Sequence, residues 1–176
     1  MKYLAVLFVS IFLVVIAAMG VSVVDPPPAE AAGGGYAPRC GGDRIFLRAP
    51  EKQMFDLHNR ERASRGLARL CVHPALMRAA ESHSKDMIRR DYFEHGNFGA
   101  RLKRFGYRCR TCGENIAQDP APISPGGTFN GWMRSSGHRS NILNRGFREV
   151  GLGAYTGTYK GNNDFTMWTT NFGTRP

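Results

Sequence analysis

The sequence predicts an α+β domain of layered helices and strands, and three observations carry that prediction. Leu76, Ala80, His83 and Met87 recur at steps of four, three and four residues, the period of a single helix face. Phe165, Met167, Thr169 and Asn171 alternate with Thr166, Trp168, Thr170 and Phe172, the period of a strand. The helical patterns come first along the chain and the strand patterns last, which argues against a parallel sheet built from βαβ units. A chain of 176 residues, 42% hydrophobic and 22% charged, is enough for one packed domain with a short appendage and is unlike a disordered chain.

Residues 1–32 read as an address. Lys2 precedes an uncharged apolar run from Leu4 to Val24, and Ala29-Glu30-Ala31-Ala32 supplies small residues for cleavage near Ala31. The run is also long enough for an uncleaved signal anchor, so both readings stand. Either one places the remainder outside the cytoplasm, secreted or on the outer face of the membrane. Residues 33–49, rich in Gly and Pro, read as a flexible linker. The folded domain is expected over 50–176.

Within that domain, Pro50 and Glu51 suit a first helical turn, and Met54 and Leu57 continue the register to a stop at Gly66. The second helix starts at Pro74, with Arg78, Glu81, Lys85 and Arg89 opposite its apolar face. Phe98, Leu102 and Phe105 predict a short helix ending at Gly106. Another is predicted over residues 128–144, bent or broken near Gly137. Val150, Leu152 and Ala154 then alternate with glycines, and Gly161 to Asp164 has turn chemistry, so the last two strands form an antiparallel hairpin. Trp132 and Trp168 are expected in the core, His83 as a hydrogen-bonded core residue, and His58 and His73 as partly exposed.

The net charge is +10, and loss of Lys2, Asp25 and Glu30 with the leader would raise it to +11. Outside a cell that charge suits anionic wall polymers or lipid head groups, not nucleic acid. The four cysteines, Cys40, Cys71, Cys109 and Cys112, fit two disulfides in an exported domain. Three pairings are possible, of which Cys40–Cys71 with Cys109–Cys112 is preferred.

Polar residues with chemical potential stand at four places: His95, Glu114 in Gly113-Glu114-Asn115, His138 in Gly137-His138-Arg139, and Glu149 before the Val150 strand. Two imidazoles and two carboxylates are the groups needed to ligate a divalent metal or to pair as acid and base, if the fold brings them together.

These segments occur in a recognisable order. Leu57-His58-Asn59-Arg60-Glu61-Arg62, Tyr92-Phe93-Glu94-His95, Gly113-Glu114-Asn115-Ile116-Ala117, Trp132 to Leu143 and Glu149-Val150-Gly151-Leu152-Gly153 together resemble the CAP superfamily, in its bacterial SCP-like extracellular branch. The resemblance covers about Pro50 to Gly173. It implies an α–β–α sandwich with a central antiparallel sheet flanked by helices, and a cleft holding two histidines and two acidic residues. His95, Glu114 and His138 match that set. Animal and plant members of that family carry a glutamate three residues after the tryptophan, where this chain has Ser135, so Glu149 is the candidate fourth member.

Three functions follow as expectations. The first is a secreted, monomeric binding module with a divalent metal such as zinc at His95, His138, Glu114 and Glu149, and a lipid, sterol or wall-derived ligand. The second is a hydrolase using Ser135 or Ser136 as nucleophile, His138 as base and Glu114 as orienting carboxylate, or a metal-activated water. The chain has no Gly-x-Ser-x-Gly elbow to support it. The third is a cationic wall-associated protein without cleft chemistry, touching a membrane only through an uncleaved anchor.

Overall fold

The computed structural model describes residues 33–120 and 124–176. The leader assigned to residues 1–32 lies outside the described residues. Among the described residues, no helix is long and apolar enough to cross a membrane.

The chain opens with a hairpin, β1 (Gly35–Pro38) and β2 (Arg44–Leu47), paired antiparallel from Gly35↔Leu47 to Pro38↔Arg44. This corrects the flexible linker expected over 33–49. The glycines there serve the turn at Gly41, Gly42 and Asp43, all at positive φ. Ala37 and Leu47 are fully buried in the main core. Cys40 is bonded to Cys71, and its N–H donates to Val72 O at 2.9 Å, tying the hairpin to the domain. The second disulfide joins Cys109 and Cys112, so the preferred pairing is the one observed.

Helix α1 (Ala49–Ser64) follows, with Pro50 in its first turn. Its buried side chains include Glu51, His58, Asn59 and Arg62 beside Met54 and Phe55. Strand β3 (Cys71–Val72) leads to α2 (Pro74–Arg89), where His73 Nδ1 caps the Ala75 N–H at 3.2 Å. The predicted apolar face of α2 is buried as expected: Leu76, Ala80, His83 and Met87. A short α3 (Phe98–Arg104) ends before Gly106, which sits at positive φ.

Strand β4 (Thr111–Pro120), which the sequence does not announce, then runs along the sheet edge. The next predicted helix is two: α4 (Pro125–Arg134) and α5 (Ser136–Ile142), broken at the extended Ser135, two residues before Gly137. Strands β5 (Glu149–Tyr159) and β6 (Asn162–Thr174) form the predicted hairpin. Its turn is Lys160-Gly161, both at positive φ as a type I′ loop requires, and Asn162 to Asp164, expected in the turn, already belong to β6.

The central sheet has the order β3-β5-β6-β4, antiparallel except for the two-residue β3. Helix α2 covers one face; α1, α4 and α5 lie on the other. The result is the α–β–α sandwich. On the α1 side, Trp168, Phe172, Val150 and Leu152 pack with Met54, Phe55, Phe129 and Trp132. On the α2 side, Gly151 and Gly153 let the helix backbone rest against the strand. A Cβ at Gly151 would fall 2.0 Å from the Leu76 carbonyl carbon, and one at Gly153 would fall 2.4 Å from Glu81 N.

Candidate functional site: a cleft at the open edge of the sheet

Because β4 is an edge strand, the layers on the two faces of the sheet both reach its outer flank. There they enclose a cleft of about 690 Å³, lined by Phe93, His95, Ile116, Trp132, Ser135 and His138 among others. Strand alternation turns Glu114 and Ile116 toward the α2 side and Asn115 toward the α5 side.

Glu114 is buried, its side chain 1% exposed, and a buried carboxylate needs donors. It has three. Arg101, from α3, donates to Oε2. His95 Nδ1 lies 2.9 Å from Oε1. The Asn171 amide, directly across the β4–β6 ladder, donates to Oε2 at 2.9 Å. Arg101 also reaches the His95 carbonyl at 3.2 Å, so one guanidinium fixes both the carboxylate and the loop that carries the imidazole. With Nδ1 engaged, Nε2 is the nitrogen of the half-exposed His95 ring left without a hydrogen bond in the structure.

His138 arrives from the other layer. Asn141 Nδ2 donates to Glu114 O at 3.1 Å and to Asn115 Oδ1 at 2.9 Å, and Asn115 Nδ2 donates to His138 O at 3.0 Å. These bonds lock α5 to β4 beside Glu114. Trp132 anchors α4 similarly, its indole N–H on Ile116 O at 3.1 Å, and its ring lies 6.3 Å from that of His138. Partial burial, with a smaller contribution from the His95 charge, pushes the His138 pKa below the ordinary histidine value. The imidazole therefore stays neutral at physiological pH.

The structure brings His95 and His138 to one cleft, with Glu114 buried behind His95 and bonded to it, not exposed in the lining. Glu149 is not among them. It accepts from Tyr107 Oη at 2.7 Å and Arg175 Nη2 at 2.8 Å, two strands away from β4 and beside the C-terminus. Nor does the triad Ser135, His138, Glu114 form: Glu114 holds His95 instead, and neither Ser135 nor Ser136 hydrogen-bonds His138. Among the described residues, no group of three or more His, Cys, Asp and Glu is arranged to hold a metal ion. Arg101 and Asn171 were missed in the sequence. An asparagine inside an apolar strand was the available signal for one; nothing in the local pattern marked the other.

His58, expected to be partly exposed, is buried among Phe129, Trp132 and Phe172, with Nδ1 on Met54 O at 2.7 Å. Desolvation lowers its pKa to about 4. His83 is the hydrogen-bonded core residue expected, with Nε2 on Glu94 O at 3.0 Å.

The domain is thus a disulfide-bonded α–β–α sandwich with two imidazoles lining one edge cleft. The family model described as CAP, the cysteine-rich secretory protein family, matches residues 55–172, and the chain belongs to that family. The chain is 38% identical over 112 residues to the Bacillus subtilis (strain 168) protein YkwD, covering 61% of this chain and 43% of the relative. It is 35% identical to the membrane protein YlbC of the same organism, covering 58% and 31% respectively. The chain thus spans less than half the length of these curated relatives. Among solved structures, an extracellular SCP-domain protein of Bacillus anthracis str. Ames aligns with a TM-score of 0.59 at 31% identity, over 76% of this chain and 47% of that one. An outer surface protein from Borrelia burgdorferi aligns with a TM-score of 0.62 over 77% and 99% at 19% identity, a likeness of fold.

Proposed function

We propose that this chain is an extracellular binding module whose cleft takes a divalent transition metal, zinc being the expected ion, through His95 and His138. The observation that carries this reading is the Glu114–His95 pair. A carboxylate held by Arg101 and Asn171 fixes the imidazole tautomer and leaves Nε2 for a ligand, the usual arrangement behind a metal-binding histidine. The depressed pKa of His138 supplies the neutral ring that ligation needs.

The donor set suits two imidazoles with the remaining positions left to water or a bound ligand. It does not suit a closed set that includes Glu149. A bound ion would supply Lewis acidity. The protein's own residues orient His95, keep His138 uncharged and exclude water from the Glu114 side. Secretion is supported by two disulfides and by the Bacillus anthracis relative described as extracellular.

Calorimetry with zinc chloride tests the reading. The intact protein should bind zinc, His95→Ala and His138→Ala should each weaken binding at least tenfold, and Glu114→Gln should weaken it about tenfold. Unchanged binding in both histidine variants would overturn it.

A second reading rests on the apolar wall of Phe93, Ile116, Ala117 and Trp132, which suits an amphiphile such as a sterol or another lipid. A fluorescent sterol should bind the intact protein and lose affinity in Phe93→Ser. Equal affinity for both would exclude the cleft as its site.

A further inference from the structure

The notable feature of the charge is its placement. No dense basic run exists in the sequence, yet the fold gathers Lys85, Arg89, Arg90, Arg101 and Arg104 around one open groove of about 640 Å³ between α2 and α3, with Asp86 as the single carboxylate. Asp86 is already engaged, accepting from Tyr92 Oη at 2.7 Å and lying 3.5 Å from Arg90. Arg101 is committed to Glu114. Lys85, Arg89 and Arg104 have no carboxylate partner among the described residues.

Lys85 and Arg104 lie near aromatic rings instead, 5.7 Å from the Tyr155 centroid and 5.4 Å from Phe105, and Arg90, besides its contact with Asp86, lies 5.8 Å from Tyr92. Ring contacts restrain a cation without neutralising it. The groove therefore keeps several restrained like charges close together, and an anion spanning them would relieve their mutual repulsion.

We infer that this groove is a second binding site, separate from the histidine cleft, for a ligand carrying two or more phosphate groups. Guanidinium forks match phosphate oxygens in pairs, and a groove of about 640 Å³ with cations contributed from both helices has room for more than one phosphate. Such a ligand could be a soluble phosphodiester chain or the head groups of an anionic lipid surface; the chemistry recognised is the same.

Inorganic tripolyphosphate is the probe, titrated calorimetrically into the whole protein in 50 mM and 200 mM NaCl. Binding should weaken with salt, and Arg89→Ala/Arg104→Ala, two exposed positions, should reduce affinity at least tenfold. The control Arg39→Ala/Arg110→Ala removes the same charge from exposed positions outside the groove and should cost less than twofold. Equal losses in the two double variants, or no binding to the intact protein, would overturn the inference. Displacement by soluble poly(glycerol phosphate) would assign the ligand to a polymer, and preferential retention on phosphatidylglycerol vesicles would assign it to a lipid surface. Zinc binding should be the same in Arg89→Ala/Arg104→Ala as in the intact protein, which keeps this test independent of the metal reading.

Discussion

On the face of the sheet covered by α1, α4 and α5, the strands present Val150, Leu152, Trp168 and Phe172. On the face covered by α2 the same strands present Gly151, Gly153, Thr169 and Asn171. The apolar face holds its helices off by the thickness of large side chains. The other face brings a helix backbone into contact and spends its polar groups on hydrogen bonds, such as Ser84 Oγ to Thr169 Oγ1 at 2.9 Å and Asn171 to Glu114. The helices do not simply mirror the strands. On the apolar side α1 buries Arg62 and His58 along with Met54 and Phe55, while α2 buries Leu76, Ala79 and Ala80 along with His83 and Ser84. The polarity of one layer thus does not report the polarity of the layer it meets.

Arg62 offers the hardest test of that contrast. It is fully buried without a carboxylate, and donates to Ala68 O, Ile142 O, Asn144 O and Phe147 O at 2.8–3.1 Å. Arg62→Leu removes four hydrogen bonds, leaves Ala68 O and Ile142 O without a donor, and should lower unfolding free energy by about 3 kcal/mol. A urea midpoint equal to that of the intact protein would refute the assignment.

Acid comes next. The folded pKa of His58, about 4, lies below its ordinary 6.5, so the unfolded chain takes up the proton first as pH falls. Its contribution, about 3 kcal/mol by the size of the shift, is intact above pH 6.5 and is lost progressively toward pH 4. His58→Phe should flatten the pH dependence of stability across that window, followed by urea melts at pH 4.5 and 7. A slope unchanged by the substitution would show that acid sensitivity arises elsewhere.

Substitutions at neighbouring β5 positions compare the two faces directly. Adding one methyl in Gly151→Ala should cost about 2–3 kcal/mol, comparable to removing three carbons in Leu152→Ala. Thermal unfolding of the pair measures both, and a neutral Gly151→Ala would mean that α2 can lift away. The smallest effect is expected at Glu149. Glu149→Gln weakens bonds to a half-exposed Arg175 and to Tyr107, costing about 1 kcal/mol. Zinc affinity should not change, which separates that carboxylate from the cleft.

Legibility follows the same division. Helix α2 and the β5–β6 hairpin could be read because their apolar spacing is regular; the disulfide pairing could be named, and so could His95, Glu114 and His138, which the fold sets near one another. Strand β4 escaped because Gly113-Glu114-Asn115 has little strand propensity and an inward carboxylate. The β1–β2 hairpin escaped because glycines that make a turn look like glycines that make a tether. Glu149 was grouped with the site for its residue type and its place beside a strand, but the ladder sets it opposite Gly173, next to Tyr107 and Arg175. Arg101 and the groove cations come from two helices separated by a loop, a proximity that only the packed layers create.

The two imidazoles are mounted on different sides of the sandwich, one on the loop after α2 and the other on α5. Anything gripping both rings would act as a rivet through the rim of the domain, resisting slippage of one side past the other. Loading the cleft should therefore raise the melting temperature and slow amide exchange along β4, coupling occupancy to mechanical firmness of the whole rim.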